Sequence, residues 1–151
     1  MSRIADCYSL KLQDEVIVQR FSVPFAYNVH FTNRALALSN RILVNAICLN
    51  KTSELRRVFA IVDEGLSKAR PTLPSELRNY FTAHRDSMKL VAPPLRVPGG
   101  ERIKDALHWP LQIHKKLHHF HIDRHSVVLT IGGGAVLDMA GFAAATTHRG
   151  V

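Results

Sequence analysis

The sequence predicts an α/β fold built on a parallel sheet, and three observations carry that expectation. Short, continuous apolar runs recur at residues 58–62, 88–92 and 126–131, the pattern of strands buried on both faces. Segments with helical punctuation lie between and after them, the alternation that builds parallel sheets. Turns rich in glycine or acid follow the first and third runs at once, at the strand ends where open sheets of this kind bind ligands.

The elements follow in order. Residues 14–31 (DEVIVQRFSVPFAYNVHF) mix alternating apolar positions with β-branched and aromatic residues, and Pro24 splits the run, so two strands or an edge hairpin are expected. Leu36 to Leu49 carries apolar residues at helical spacing (Leu36, Leu38, Ile42, Leu43, Ala46, Ile47), with Ser39 or Asn40 as cap. Val58 to Val62 is the first buried strand and ends in Asp63-Glu64-Gly65. Pro74-Ser75-Glu76 opens a helix to about Arg85. Met88 to Ala92 is a short strand stopped by Pro93-Pro94, and Pro98-Gly99-Gly100-Glu101 is a turn by composition. A helix is expected from Pro110, whose missing N–H costs nothing at a first helical position, to about Phe120. Ser126 to Ile131 is the third strand, Gly132-Gly133-Gly134 the turn after it, and residues 135–147 a tightly packing helix.

At 151 residues and 46% hydrophobic content the chain has room for one domain with a hydrophobic core. No apolar run approaches the ~20 residues of a membrane span. Asp6 interrupts the opening too early for a signal peptide, so cytoplasm is the expected compartment. Cys7 and Cys48 have no metal-ligand spacing and are expected to be free, buried thiols. The formal charge of +8 suits anionic partners. Its densest patches, Arg56-Arg57 and Lys115-Lys116, are only pairs, and no aromatic-basic interleaving or helix-turn-helix pattern supports nucleic acid.

The strand, glycine turn and helix at residues 126–138 carry the chemistry. Glycine has no Cβ, so backbone N–H groups can approach a ligand closely. The helix N-terminus that follows favours a phosphate. Against the dinucleotide fingerprint GxGxxG, Gly132 and Gly134 match, but Leu137 stands where the third glycine belongs. Asp138 has two readings: a first-turn carboxylate answering the helix dipole, or a group facing ligand hydroxyls.

GGGAVLDMAGFAAATTHRGV at 132–151 resembles the signature of the 3-dehydroquinate synthase family, GGG-x-x-x-D-x-x-G-x-x-A-A-x-x-x-R-G. PGGERIK at 98–104 is similar to that family's P-x-G-E-x-x-K element, and VDEGL at 62–66 stands where the family places an acidic strand end. The His148-Arg149-Gly150 ending and the QRFSVPFAYNVHFT opening look most like the EboD branch, whose members are linked to metabolite traffic.

The resemblance implies a Rossmann-like sheet and makes residues 1–151 the N-terminal NAD-binding domain of a sugar-phosphate cyclase, a phosphate-eliminating lyase. The chain would end before the C-terminal helical domain that holds a divalent metal, zinc or cobalt, and would be inactive alone. Carried over by position, Asp63 would hold adenosine-ribose hydroxyls, although Gly65 replaces the family's asparagine two residues on. Glu101 and Lys104 would contact the cofactor. Gly133, Gly134 and Ala135 would meet the pyrophosphate through their backbone, and Asp138 the nicotinamide-ribose end. Arg149 matches an arginine that reaches the substrate phosphate of a neighbouring subunit, which implies a homodimer acting on a phosphosugar.

Other readings stay open beside these. Asp63 also fits an Asx turn, Glu101 and Lys104 a surface pair, and Arg149 a solvated side chain. The whole chain also fits a polyol-dehydrogenase-like oxidoreductase domain or a non-catalytic EboD-type protein. His114, His118, His119, His121 and His125 are expected on a solvated basic face, because Lys115 and Lys116 beside them would repel a cation and no matching carboxylate or cysteine is spaced with them.

Overall fold

The computed structural model describes residues 11–13, 16–24, 26–48, 55–103, 108–148 and 150–151. It divides into two units, residues 1–31 and residues 32–151.

In the first unit, β1 (Lys11–Gln13) pairs antiparallel with β2 (Val16–Val18), Lys11 opposite Val18. The expected hairpin therefore turns nearer the N-terminus than Pro24. The second half of the predicted run forms no strand among the described residues. Pro24 lacks the N–H a ladder needs, and Phe21, Tyr27 and Phe31 project into solvent, Phe31 at 93% exposure.

The second unit is centred on β3 (Arg56–Asp63), eight residues with the five apolar ones buried. Three strands run parallel to it: β4 (Met88–Leu90), β5 (Leu95–Val97) and β6 (Val127–Ile131). Val58 pairs with both Leu90 and Val127, and Ile61 with both Leu95 and Thr130. It follows that β4 and β5 share one edge of β3 and β6 takes the other. Between Leu90 and Leu95 the edge chain takes five steps while β3 takes three, so Val91–Pro94 bulge outward. Pro93-Pro94 thus interrupts an edge strand and does not end it. The strand β5 escaped the sequence reading because a double proline looks like a stop.

Side-chain alternation along β3 feeds two cores. Phe59 and Ile61 pack with Ile113, Leu117, Val136 and Ala140, from α4 (His108–His119) and α5 (Gly134–Thr146). Val58 and Ala60 pack on the opposite face with Val44, Leu77 and Tyr80, from α1 (Ile42–Ile47) and α3 (Leu73–Ala83). Helices on both faces of a parallel sheet give three layers, as expected from the alternation.

Local differences have local causes. α1 starts at Ile42, not Leu36, because the chain at Arg34 is left-handed (φ 52°) and turns twice before it. Asn40 locks that turn: its amide donates to Thr32 Oγ1 (2.8 Å) and its Oδ1 accepts from the Ile42 N–H (3.0 Å). The helix α2 (Glu64–Ala69) was not anticipated; it is one short segment capped by Asp63 and braced by a Glu64–Lys68 ion pair at 2.8 Å. α4 begins two residues before Pro110, whose position in the first turn still leaves no intrahelical hydrogen bond lost. β6 is half-buried throughout because it pairs only with β3 among the described residues. Cys48 is half-buried rather than buried, and burial pushes its thiol pKa up against the nearby Arg56; Cys7 lies outside the described residues.

Candidate functional site

Parallel pairing sets Asp63 beside Val97 at the end of β5, while β6 ends in register with Val62 and passes into the glycine turn. Three loops therefore converge at the carboxyl end of the sheet: Asp63-Glu64-Gly65, Pro98-Gly99-Gly100 and Gly132-Gly133-Gly134. Short apolar strands in register are what bring these distant residues together.

Asp63 sits at the centre. Its Oδ1 accepts from the Leu66 N–H at 3.0 Å and caps α2. A Cβ on Gly99 would stand 2.2 Å from Asp63 Oδ2, and one on Gly132 would stand 3.0 Å from Asp63 Cβ and 3.2 Å from Val136 Cβ. Gly99 and Gly132 are thus glycines because the aspartate lies against them. Gly100, at φ +80°, supplies the left-handed turn that returns the chain into the short 3-10 turn Glu101–Ile103. The cap occupies Oδ1 of this carboxylate.

Gly133 and Gly134 differ from these. Gly133 has φ −79° and ψ 172°, a conformation open to any residue. A Cβ at Gly133 or at Gly134 would meet nothing within 4 Å. Neither packing nor backbone geometry within the described residues asks for glycine there. The Val136 and Leu137 N–H groups both bond to Gly133 O (3.0 and 3.1 Å), while the Gly134 and Ala135 N–H groups find no acceptor among the described residues. Two backbone donors at the start of a 13-residue helix face outward over bare backbone, which is the arrangement a pyrophosphate fits.

Asp138 is the fifth residue of α5 and exposed, beyond the first turn, so the helix-dipole reading of this carboxylate does not hold. Glu101 is exposed at the start of the 3-10 turn. Lys104 and Arg149 lie outside the described residues.

The histidines do not act as one face. His114 is half-buried and its Nε2 lies 3.0 Å from Ala143 O and 2.9 Å from Thr146 Oγ1, joining α4 to α5. The sequence reading missed this because helical spacing alone does not say which histidine meets a neighbouring helix. His118, His119, His121 and His125 are exposed as expected. Among the described residues no three His, Cys, Asp or Glu side chains converge on a point, and no helix is long and apolar enough to cross a membrane.

The chain is similar to known proteins. Residues 94–151 match the family model described as 3-dehydroquinate synthase N-terminal. A 3-dehydroquinate synthase of Macrococcus caseolyticus is 46% identical over 113 residues, which is 73% of this chain and 29% of that protein. One from Clostridium kluyveri is 30% identical over 103 residues, 68% of this chain and 26% of that protein. The chain thus spans less than a third of the length of these relatives. Among solved structures, 2-deoxy-scyllo-inosose synthase complexed with carbaglucose-6-phosphate, NAD+ and Co2+ aligns over 73% of this chain and 28% of its own, at 19% identity and a TM-score of 0.53. At that identity the likeness speaks to the fold alone. Over residues 94–151, the segment that carries the glycine turn and the helix it opens, the chain is similar to the 3-dehydroquinate synthase N-terminal family.

Proposed function

We propose that residues 1–151 form the NAD-binding part of a 3-dehydroquinate synthase-like sugar-phosphate cyclase. The observation that carries this reading is the pair Gly133 and Gly134, glycines with no steric reason among the described residues, beside two backbone N–H groups that bond to no described residue. A ligand that must approach the backbone closely supplies the missing reason.

In this reading Gly133, Gly134 and Ala135 meet the pyrophosphate through the backbone. Asp63 receives ribose hydroxyls on the lone pairs its cap leaves over. Glu101 and Lys104 flank the cofactor, and Asp138 stands toward the nicotinamide ribose. Arg149 reaches a substrate phosphate, in a homodimer that acts on a phosphosugar. Bound NAD would supply a hydride acceptor. The family's divalent metal finds no ligand set among the described residues, so no step is assigned to it, and the chain alone is expected to bind cofactor without converting a sugar phosphate.

Calorimetric titration of the 151-residue chain with NAD tests the reading. Saturable heat together with a raised melting temperature is expected. An absence of both, with the chain folded by circular dichroism, would remove the cofactor role and leave common ancestry. The EboD-type alternative draws on His148-Arg149-Gly150 and the opening segment; it predicts no phosphate release even when the chain is joined to the C-terminal domain of a 3-dehydroquinate synthase relative.

A further inference from the structure

We infer a second binding site, for a small amphipathic anion, on the edge of β3 opposite the glycine turn. The bulge at Val91–Pro94 and the α3 residues Leu73, Pro74, Leu77 and Arg78 line a cavity of about 700 Å³, within the range of small-molecule pockets. None of Asp63, Gly132, Gly133, Gly134 or Asp138 lines it, so it is separate from the proposed cofactor site.

Its chemistry is one-sided. Leu77, Val91 and Pro93 supply an apolar wall. Arg78 from α3 and Arg96 from β5 are exposed, line the same cavity, and have no carboxylate partner among the described residues. No acidic side chain among the described residues lines it. Ser67 is the remaining polar residue of the lining, at 7% exposure. A ligand with a ring-sized apolar body, an acidic group for the guanidiniums and a polar atom for Ser67 matches this lining.

The probe is 1-naphthoate, with the neutral 1-naphthol as control, followed by amide chemical shifts of the full 151-residue chain. Naphthoate is expected to shift the amides of Ser67, Arg78, Val91 and Arg96 saturably, and equally in saturating NAD. Arg78→Gln and Arg96→Gln, at exposed positions that leave the core intact, should together weaken naphthoate by about tenfold and leave naphthol unchanged. Shifts confined to other residues, displacement by NAD, or equal binding of naphthol and naphthoate would each overturn the site.

Discussion

The two ends of β3 are built on opposite plans. At its start, Arg56 donates through a terminal nitrogen to His125 O at 2.8 Å, and Arg57 to Phe120 O at 2.6 Å. Asp123 closes the same corner, its Oδ1 accepting from the His125 N–H (3.0 Å) and the Ser126 hydroxyl (2.8 Å) just before β6. Side chains at this end are spent on the protein's own backbone. At the other end, three loops rich in glycine meet, and the Gly134 and Ala135 N–H groups find no partner among the described residues. A sheet closed by side chains at one end and open in backbone at the other is rigid where it needs support and accessible where a ligand arrives.

The largest effect should come from closing the open end. Gly99→Ala places a methyl 2.2 Å from Asp63 Oδ2. The carboxylate can yield only by turning away from the Leu66 N–H, so overpacking and a lost cap combine to about 2 kcal/mol of destabilisation. Urea denaturation measures it. A change under about 0.5 kcal/mol would mean that Asp63 is not wedged as described.

Next comes the closed end. Arg57→Ala removes a charge-assisted bond to a carbonyl and the packing of the side-chain stem, at about 1.5 kcal/mol. The loss is moderated because Arg57 Nε is buried without a partner in the native protein. The sharper comparison is with Arg57→Met, which keeps the apolar stem. If both substitutions cost the same, the hydrogen bond to Phe120 carries the effect; if Met is neutral, packing does.

Asp123 makes the closed end sensitive to acid. The Ser126 hydroxyl above all, helped by the His125 backbone N–H, the nearby His125 and the Ser126 backbone, holds its carboxyl below the usual aspartate range, against desolvation, the second-largest influence, which raises it. A depressed folded pKa gives stability that is present above the unfolded value and lost as pH falls through the folded one. Asp123→Ala should therefore cost about 1 kcal/mol at neutral pH, allowing for solvent screening at this exposed site. The cost should shrink toward zero below the unfolded aspartate value of about 3.9. Melting curves of both proteins from pH 7 to pH 2.5 would show the two converge; a constant offset would deny the carboxylate its role.

The sheet was legible in the sequence because its strands obey one local rule, a short apolar run. Val58–Val62 and Val127–Ile131 came through with their ends nearly right, and so did the turn at Gly99-Gly100. What escaped depended on distant partners. Leu95–Val97 is a strand only because β3 offers it an edge beyond the proline bulge. Leu36–Asn40 looks helical by spacing, yet Asn40 binds back to Thr32 and Asn33 and unwinds it. The glycines show the same limit. The fingerprint paired Gly132 with Gly134 and the resemblance assigned Gly133 and Gly134 to a ligand, whereas the structure divides the three into one that fits against Asp63 and two that face open space.

That division yields the smallest expected change in stability and the most informative one. Gly133 has a backbone conformation that alanine adopts without strain, and its Cβ would meet no atom within 4 Å. Glycine is itself a fair N-cap, so Gly133→Ala trades a modest capping loss against a smaller entropy cost on folding. The net should stay within about 0.5–1 kcal/mol. If pyrophosphate rests on this backbone, the same methyl stands in its place, and NAD affinity should fall about tenfold or more while the melting curve barely moves. Gly132→Ala should do the reverse in proportion, unfolding the turn against Asp63 and Val136 before it discriminates any ligand. A Gly133→Ala protein that binds NAD as well as the parent would mean that the open backbone after Ile131 is bare for some reason other than a cofactor.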